Sequence, residues 1–178
     1  LLRNPKDLIS AHEILAKLEI FTRGDRAEAL RWLKEGAREA VNYGEVDMVA
    51  NFERIIGDLY IAMAGREEPA GSAFEKAFVA YAKSLAELKT ISPSEQHSYF
   101  KFTQCNMARA TCLWLDSLDE NSIVPVEKIR ARIFEAWQNA TKSFNASYGA
   151  SGGNLTEMAL QYILPSIGHL KHYAKKFG

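Results

Sequence analysis

The sequence predicts an all-α protein of about seven amphipathic helices, packed as antiparallel hairpins in an α-solenoid or a compact helical bundle. Three observations support this fold class. Apolar residues recur every three or four positions through most of the 178 residues. Helix start and stop signals divide this pattern into segments with short connections, which makes successive helices antiparallel neighbours. No segment alternates apolar and polar residues with a period of two, so no sheet is expected.

The composition is that of an ordinary globular protein. Hydrophobic residues make up 47% and charged residues 25% of the chain, which is too apolar a mixture for a disordered protein. Lys plus Arg and Asp plus Glu number 22 each, so nucleic acid and anionic membrane surfaces are disfavoured as partners. No apolar run approaches the ~20 residues that span a bilayer. The length suggests one helical domain over residues 1–178.

The two cysteines indicate a reducing compartment. Cys105 and Cys112 lie in one expected helix, about 10.5 Å apart along its axis, which is too far for a disulfide between them. Two small buried thiols are the simpler interpretation, because a reactive thiol would need a neighbour that lowers its pKa. The first residues also lack the features of a signal peptide. Together these observations predict a cytoplasmic protein.

The first hairpin is expected over residues 5–43. Asn4, followed by a proline, is a typical N-cap for the first helix, and Gly24 ends that helix. Asp25 caps the second helix, and Gly44 ends it. The expected apolar stripe of the first helix comprises Leu8, Leu15, Leu18 and Phe21.

The second hairpin is expected over residues 45–90 and the third over residues 93–146. Gly65 follows the third helix, and a turn with Pro69 separates it from the fourth. The fifth helix is apolar on most of its sides, which is typical of a central, buried helix. Pro125 opens the sixth helix.

A capping helix is expected over residues 154–176. Before it lies NASYGASGGN, which reads as a flexible loop. Pro165 is expected to kink this last helix or to break it in two, because proline lacks the N–H that a helix interior needs.

Three helices share a weak pattern of small residues around one large residue. The pattern occurs in the second, fourth and sixth helices as Ala29-Leu33-Gly36, Ala77-Tyr81-Ser84 and Ile133-Trp137-Ala140, the last with a large first residue. Small residues at this spacing let a neighbouring helix approach closely, and the large residue fills the groove between the two helices.

This pattern resembles the second helix of a tetratricopeptide repeat. GDRAEAL at Gly24–Leu30 resembles the turn that leads into that helix, and IGDLY at Ile56–Tyr60 resembles the Leu-Gly-x-x-Tyr of the first helix. The family repeats every 34 residues, whereas the matched positions here are 48 and 56 residues apart, so the resemblance is to a divergent repeat. It implies stacked hairpins whose groove binds peptides or helices.

No pattern of chemically active residues indicates catalysis. His169 and His172 have a spacing that can hold a metal, but no carboxylate lies within one turn to complete a site. Glu35 and Glu39 have acid–base spacing in principle, yet a solvated helix face is the simpler interpretation. Phosphate-binding, dinucleotide and hydrolase motifs are missing from the sequence. We therefore expect no catalytic residue, no metal and no cofactor.

Two polar strips on otherwise apolar helices suggest a binding surface. The strips comprise Asp47, Asn51, Arg54 and Asp58 on the third helix, and Tyr99, Thr103, Asn106 and Arg109 on the fifth. Such strips need hydrogen-bond partners, which are either a ligand in the groove or the neighbouring helices. Because Arg and Asn bind carboxylates and peptide backbone, the residues predicted to contact a partner are Asn51, Arg54, Tyr99, Asn106 and Arg109.

Three functional hypotheses follow. The first is a protein-interaction scaffold or adaptor, without enzymatic activity, that binds a peptide or helix of another protein. The second is a structural protein that assembles with itself, for which an exposed apolar patch and a homo-oligomer would be the mark. The third is an enzyme with a site dispersed over several helices, which would need a deep pocket that joins titratable residues.

Overall fold

The computed structural model describes residues 4–93, 98–119, 122–150 and 159–177, and it confirms the all-α fold class. These residues form seven α-helices and two π-helical segments of five residues each. Within the same ranges the only β-type pairing is an isolated bridge between Ala64 and Glu68. Contacts group the chain into two compact units, Leu1–Glu95 and Gln96–Gly178. One domain over the whole chain stays a prediction.

The first unit contains four α-helices, each packed against the next along the chain. Their bounds are α1 Pro5–Leu18, α2 Arg26–Asn42, α3 Val46–Met63 and α4 Ala70–Ile91, with a π-helical segment, Glu19–Arg23, directly after α1. The segment is one turn in which each N–H reaches back five residues instead of four.

The helix ends of the first unit follow from local side-chain chemistry. The Asn4 side chain accepts a hydrogen bond from the Lys6 amide at 3.0 Å, and Asp25 accepts one from the Glu28 amide at 2.9 Å. Each bond satisfies an N–H that the first helical turn leaves unpaired. Gly24, Gly44 and Gly65 have φ angles of 70°, 71° and 71°. Glycine adopts this left-handed conformation without strain, which is why these helices stop where the sequence predicts.

The buried face of α1 differs from the expected leucine stripe. Its buried residues are Ile9 and Ala16, whereas Leu18 is 50% and Phe21 83% exposed. The reason is that α1 approaches α2 closely at Gly36, where an added Cβ atom would lie 2.9 Å from Cβ of His12. Ile9, His12 and Ala16 share one face of α1, so this face is buried and the leucine stripe is not. The π-helical turn also takes about one residue more than an α-helical turn, which rotates Phe21 away from that surface.

Two glycines of the first unit allow aromatic rings to pack against helix backbone. A Cβ atom at Gly36 would meet the Phe52 ring, and one at Gly57 would lie 2.7 Å from Cδ1 of Tyr81. Ser84 adds a hydrogen bond of 2.8 Å from its buried hydroxyl to the Ala50 carbonyl of α3. Small residues therefore set the spacing between α2, α3 and α4.

The second unit contains three α-helices, of which α5 is the most buried. Their bounds are α5 Ser98–Asp116, α6 Val126–Ala150 and α7 Leu164–Phe177, with a π-helical segment, Ala159–Ile163, before α7. Eleven of the 19 residues of α5 are buried, as its apolar composition predicts. Cys105 and Ile163 form part of the core, where Phe144 and Ile167 pack against them.

Two expectations about the end of the chain have different outcomes. Helix α6 continues to Ala150, so the part of the expected loop over residues 145–150 is helical instead. Pro165 is the second residue of α7, directly after the π-helical segment, as expected of a proline that interrupts a helical pattern. The expected start of the capping helix, at residue 154, lies outside the described residues. None of the described helices is both long and apolar enough to cross a bilayer.

Candidate partner-binding groove

The first unit contains an open groove of about 610 Å³ lined by α2, α3 and α4. We call it the α2–α4 groove. Its floor is apolar and comprises Ala37, Ile56, Tyr60 and Ala80, all of which are buried. A cavity of this size is within the usual range of ligand sites, roughly 300–1,000 Å³.

Two exposed valines extend the apolar surface from the floor onto the walls. Val41 of α2 is 59% exposed and Val79 of α4 is 68% exposed. Each occupies a wall position between charged neighbours, where a solvated polar residue would be the usual choice. A molecule that covered these side chains would remove further apolar surface from water, which is favourable.

The walls of the groove carry four cations and two carboxylates. The cations are Lys34, Arg38, Lys76 and Lys83, and the carboxylates are Glu53 and Glu75. Glu53, only 8% exposed, is paired with Lys83. Lys76 is paired with Glu68, which is outside the groove, and this hydrogen bond raises the pKa of Lys76.

The Tyr60 ring in the floor lies between two of these cations. The Nζ atom of Lys34 is 5.9 Å and that of Lys76 is 5.4 Å from the ring centroid. Both distances are within cation–π range, so the ring helps to hold one ammonium group from each wall over the floor. The groove therefore combines an apolar base with a positively charged border.

Two residues predicted to contact a partner, Asn51 and Arg54, lie together in the first unit but do not line the α2–α4 groove. The Asn51 amide donates to the Glu13 carboxylate of α1 at 3.3 Å, and its oxygen accepts from Arg54 at 2.7 Å. Arg54 also donates to Asp58 at 3.1 Å.

The same hydrogen bonds continue to α4 and α1. Asp58 accepts from the hydroxyl of Tyr81 at 2.7 Å, and Glu13 is paired with Lys17 at 2.7 Å. The polar strip of the third helix thus has partners on two neighbouring helices, one of the two interpretations that the sequence left open. A contact of Asn51 or Arg54 with another protein stays a prediction.

The other three predicted residues, Tyr99, Asn106 and Arg109, are on α5 in the second unit. Tyr99 and Asn106 are half-buried and Arg109 is exposed. The Arg109 guanidinium lies 5.6 Å from the centroid of the Tyr162 ring. These residues stay predicted partner contacts.

His169 of α7 contacts Asp116 of α5 within the second unit. Asp116 Oδ1 lies 2.9 Å from Nε2 of His169 and 2.8 Å from the hydroxyl of Tyr173. Burial raises the pKa of the nearby Cys112 thiol to about 12, so this sulfur stays protonated at neutral pH and is a poor nucleophile. The arrangement holds α7 against α5, and in the described part of the chain no three His, Cys, Asp or Glu residues are grouped as a metal site would require.

The contact between Asp116 and Tyr173 is expected to make the stability of the protein depend on pH in the alkaline range. Burial first, and then the hydrogen bond to Asp116, raise the pKa of Tyr173 from 10.0 to about 12, so the folded protein favours the neutral phenol. This contribution to stability is present below pH 10 and is lost as the pH rises towards 12. The unfolding free energy should therefore fall over this range, by less than about 1 kcal/mol because the site is partly solvated.

Urea denaturation at a series of pH values measures this loss. Tyr173→Phe should remove part of the alkaline decline, whereas Tyr43→Phe, at an exposed position of the first unit, should leave it unchanged. An identical decline in wild type and Tyr173→Phe would show that this contact does not contribute.

The sequence does contain a signal for the α2–α4 groove. It lies on the second helix of the first two hairpins, α2 and α4. Lys34, Arg38 and Val41 share one face of α2, and Lys76, Val79 and Lys83 share one face of α4. Each wall is an apolar residue beside cations, at helical spacing. The partner contacts are predicted instead on the polar strips of the third and fifth helices, because these strips interrupt helices that are otherwise apolar.

The helices and the groove define a class of protein, an all-α protein of packed helical hairpins with an amphipathic cleft. Comparisons of the chain with protein-family models, curated proteins and solved structures found no match. The resemblance to the tetratricopeptide repeat therefore stays a prediction from the sequence.

Proposed function

We propose that the chain is a protein-interaction scaffold, and that the α2–α4 groove holds a peptide or helix of a partner protein. The observation that carries this proposal is the apolar floor continued by two exposed valines, Val41 and Val79, on opposite walls. Such a surface, bordered by charge, is typical of a helix-in-groove interface.

The form of the groove favours a polypeptide over a small molecule. A small ligand is usually enclosed by its site, whereas the α2–α4 groove is open and its apolar surface extends outward to both rims. Only a partner that reaches from wall to wall covers Val41 and Val79 together. The tetratricopeptide-like resemblance implies the same kind of partner.

The proposal includes a location and a role. Cys105 and Cys112 are both free and buried, which supports a reducing compartment such as the cytoplasm. The proposed role is binding alone, without a reaction of its own. The partner is another protein, and a second copy of this chain is the alternative that the experiment distinguishes.

A selection of peptides followed by one substitution tests the proposal. Peptides that bind the full chain are enriched from a library of random helical sequences, and their Kd values are measured by fluorescence anisotropy. Val79→Glu should weaken the selected peptides about tenfold or more, because it places a carboxylate in the apolar contact. The exposure of Val79 makes the variant compatible with folding, which circular dichroism checks.

Ile14→Glu is the matched control. Ile14 is 58% exposed, belongs to the same unit and does not line the groove, so this variant should bind the peptides as wild type does. Equal binding by Val79→Glu and wild type would reject the groove as the binding site. A wild-type oligomer in sedimentation experiments that Val79→Glu converts to a monomer would assign the groove to a second copy.

A further inference from the structure

From the charges of the α2–α4 groove we infer the chemistry of its partner, which is an acidic amphipathic helix. The apolar face of this helix covers the floor, and Asp or Glu residues on its two flanks meet the cations of the walls. This inference rests on the proposed function, since it specifies what the same groove binds.

The positive charge of the groove is a local property. The whole chain has 22 cationic and 22 acidic residues, a net charge of zero, whereas the groove is lined by four cations and two carboxylates. The lining residues have a net charge of +2, or +1 when Glu68, the partner of Lys76, is counted as well. A net positive charge over an apolar floor attracts acidic segments and repels basic ones. Charge complementarity therefore selects among the amphipathic partners that the floor alone would accept.

Two of the four cations have no paired carboxylate in the part of the chain that the structure describes. Within the described ranges neither Lys34 nor Arg38 forms an ion pair, although both are on the α2 wall. Lys76 and Lys83 of the opposite wall are paired with Glu68 and Glu53. A carboxylate on the partner thus gains most at the α2 wall, where no intramolecular pair has to be broken or shared.

The spacing of the cations corresponds to helical spacing on the partner. Lys34 and Arg38 are four residues apart in α2, which separates them by about 6 Å along the helix axis. Lys76 and Lys83 are seven residues apart in α4, about 10.5 Å along that axis. A partner helix that lies along the groove matches both walls if each of its flanks carries acidic residues at intervals of one or two turns.

Backbone chemistry favours a helix over an extended peptide. An extended peptide leaves its N–H and C=O groups to be satisfied by the receptor, commonly at the edge of a sheet. The floor here is formed by Ala37, Ile56, Tyr60 and Ala80, which offer a single side-chain polar group, the tyrosine hydroxyl. A helix satisfies its own backbone, so it can be buried on this floor without the penalty of unpaired polar groups.

Four synthetic peptides of about four turns each test the inference with the full chain. All carry leucines on one face. Their flanks carry glutamate in the acidic peptide, glutamine in the neutral one and lysine in the basic one, and the fourth peptide scrambles the acidic sequence. Fluorescence anisotropy should show the acidic peptide binding about threefold to tenfold tighter than the neutral one. The scrambled and basic peptides should bind more weakly still, and added salt should reduce the preference for the acidic peptide.

Reversal of one wall charge makes the test specific. Arg38→Glu should weaken the acidic peptide about tenfold and strengthen the basic one, because attraction becomes repulsion for the first and the reverse for the second. Arg66→Glu makes the same change in charge at an exposed position that does not line the groove, so it should leave the order of the peptides unchanged. Circular dichroism confirms that both variants are folded.

The possible outcomes separate this inference from the proposed function. Acidic and neutral peptides that bind equally, with no effect of Arg38→Glu, overturn the acidic partner but leave a groove that Val79→Glu still disables. Equal binding of the scrambled and acidic peptides overturns the amphipathic helix, because charge alone would then explain the affinity. If none of the four peptides binds and library selection also fails, the proposed function falls together with the inference.

Discussion

Replacement of Gly57 by alanine is expected to lower the unfolding free energy of the first unit by about 2 kcal/mol. A new Cβ atom would lie 2.7 Å from Cδ1 and 2.8 Å from Cζ of the Tyr81 ring, far inside van der Waals contact. The ring is 1% exposed and its hydroxyl is bonded to Asp58, so it has no free space into which to move. Overpacking costs of roughly 1–3 kcal/mol and a weakened hydrogen bond outweigh the ~1 kcal/mol that alanine gains over glycine in a helix.

Gly168→Ala is the matched control, since Gly168 is also inside an α-helix but a Cβ atom there meets nothing within 4 Å. This variant should be more stable than wild type by up to about 1 kcal/mol. Urea denaturation gives the free energies, and hydrogen exchange of the α3 amides shows where the stability is lost. A Gly57→Ala protein as stable as wild type would mean that α3 and α4 can separate to accept the methyl group.

This contact also shows how far the sequence predicts the fold. Gly57 lies in the IGDLY segment, and Tyr81 is the large residue of the small-residue pattern in the fourth helix. The small-residue pattern predicts that Tyr81 packs between helices, whereas Gly57 is singled out only by the resemblance of IGDLY, and neither observation shows that the two residues face each other. Local spacing predicts which side of a helix is buried, whereas the pairing of two helices depends on contacts between residues far apart in the chain.

Helix ends were predictable because each depends on a few adjacent residues. Asn4 and Asp25 accept the expected amide hydrogen bonds, and Gly24 has the expected left-handed backbone. The exposed Phe21 shows the limit of such reasoning. Its position satisfies the helical period, yet the π-helical turn that rotates it away is not encoded in that period.

The candidate site was only partly predictable for a related reason. The sequence predicts partner contacts on the polar strips of the third and fifth helices, and these contacts stay a prediction. The structure has an amphipathic groove lined by α2, α3 and α4 that includes none of the predicted contact residues. Arg38 and Val79 look like ordinary surface residues when each helix is considered alone. Their significance depends on two walls facing each other across α3, a relation between helices that periodicity does not describe.

The second large effect is expected in the polar strip of α3, at Asp58. Substitutions there give different results if the strip has a structural role and if it binds a partner. Asp58→Ala is expected to lower the unfolding free energy of the first unit by about 2–3 kcal/mol. The buried hydroxyl of Tyr81 loses the acceptor at 2.7 Å, and the half-buried guanidinium of Arg54 loses its carboxylate at 3.1 Å. Asp58→Asn keeps an oxygen that accepts from the tyrosine, so it should cost only about 1 kcal/mol.

A double-mutant cycle with Tyr81→Phe measures the contact directly. Removal of the hydroxyl first should reduce the cost of Asp58→Ala, with a coupling energy of about 1 kcal/mol or more, because the two groups share one hydrogen bond. The library-selected peptides, or any of the four synthetic ones, should bind Asp58→Asn as they bind wild type, since this position is outside the α2–α4 groove. If Asp58→Asn and Arg54→Ala are instead as stable as wild type but no longer bind, the strip is a ligand surface, and the partner contacts predicted for Asn51 and Arg54 take precedence over the groove. Since stability and binding are measured on the same variants, the two roles of the strip cannot be confused.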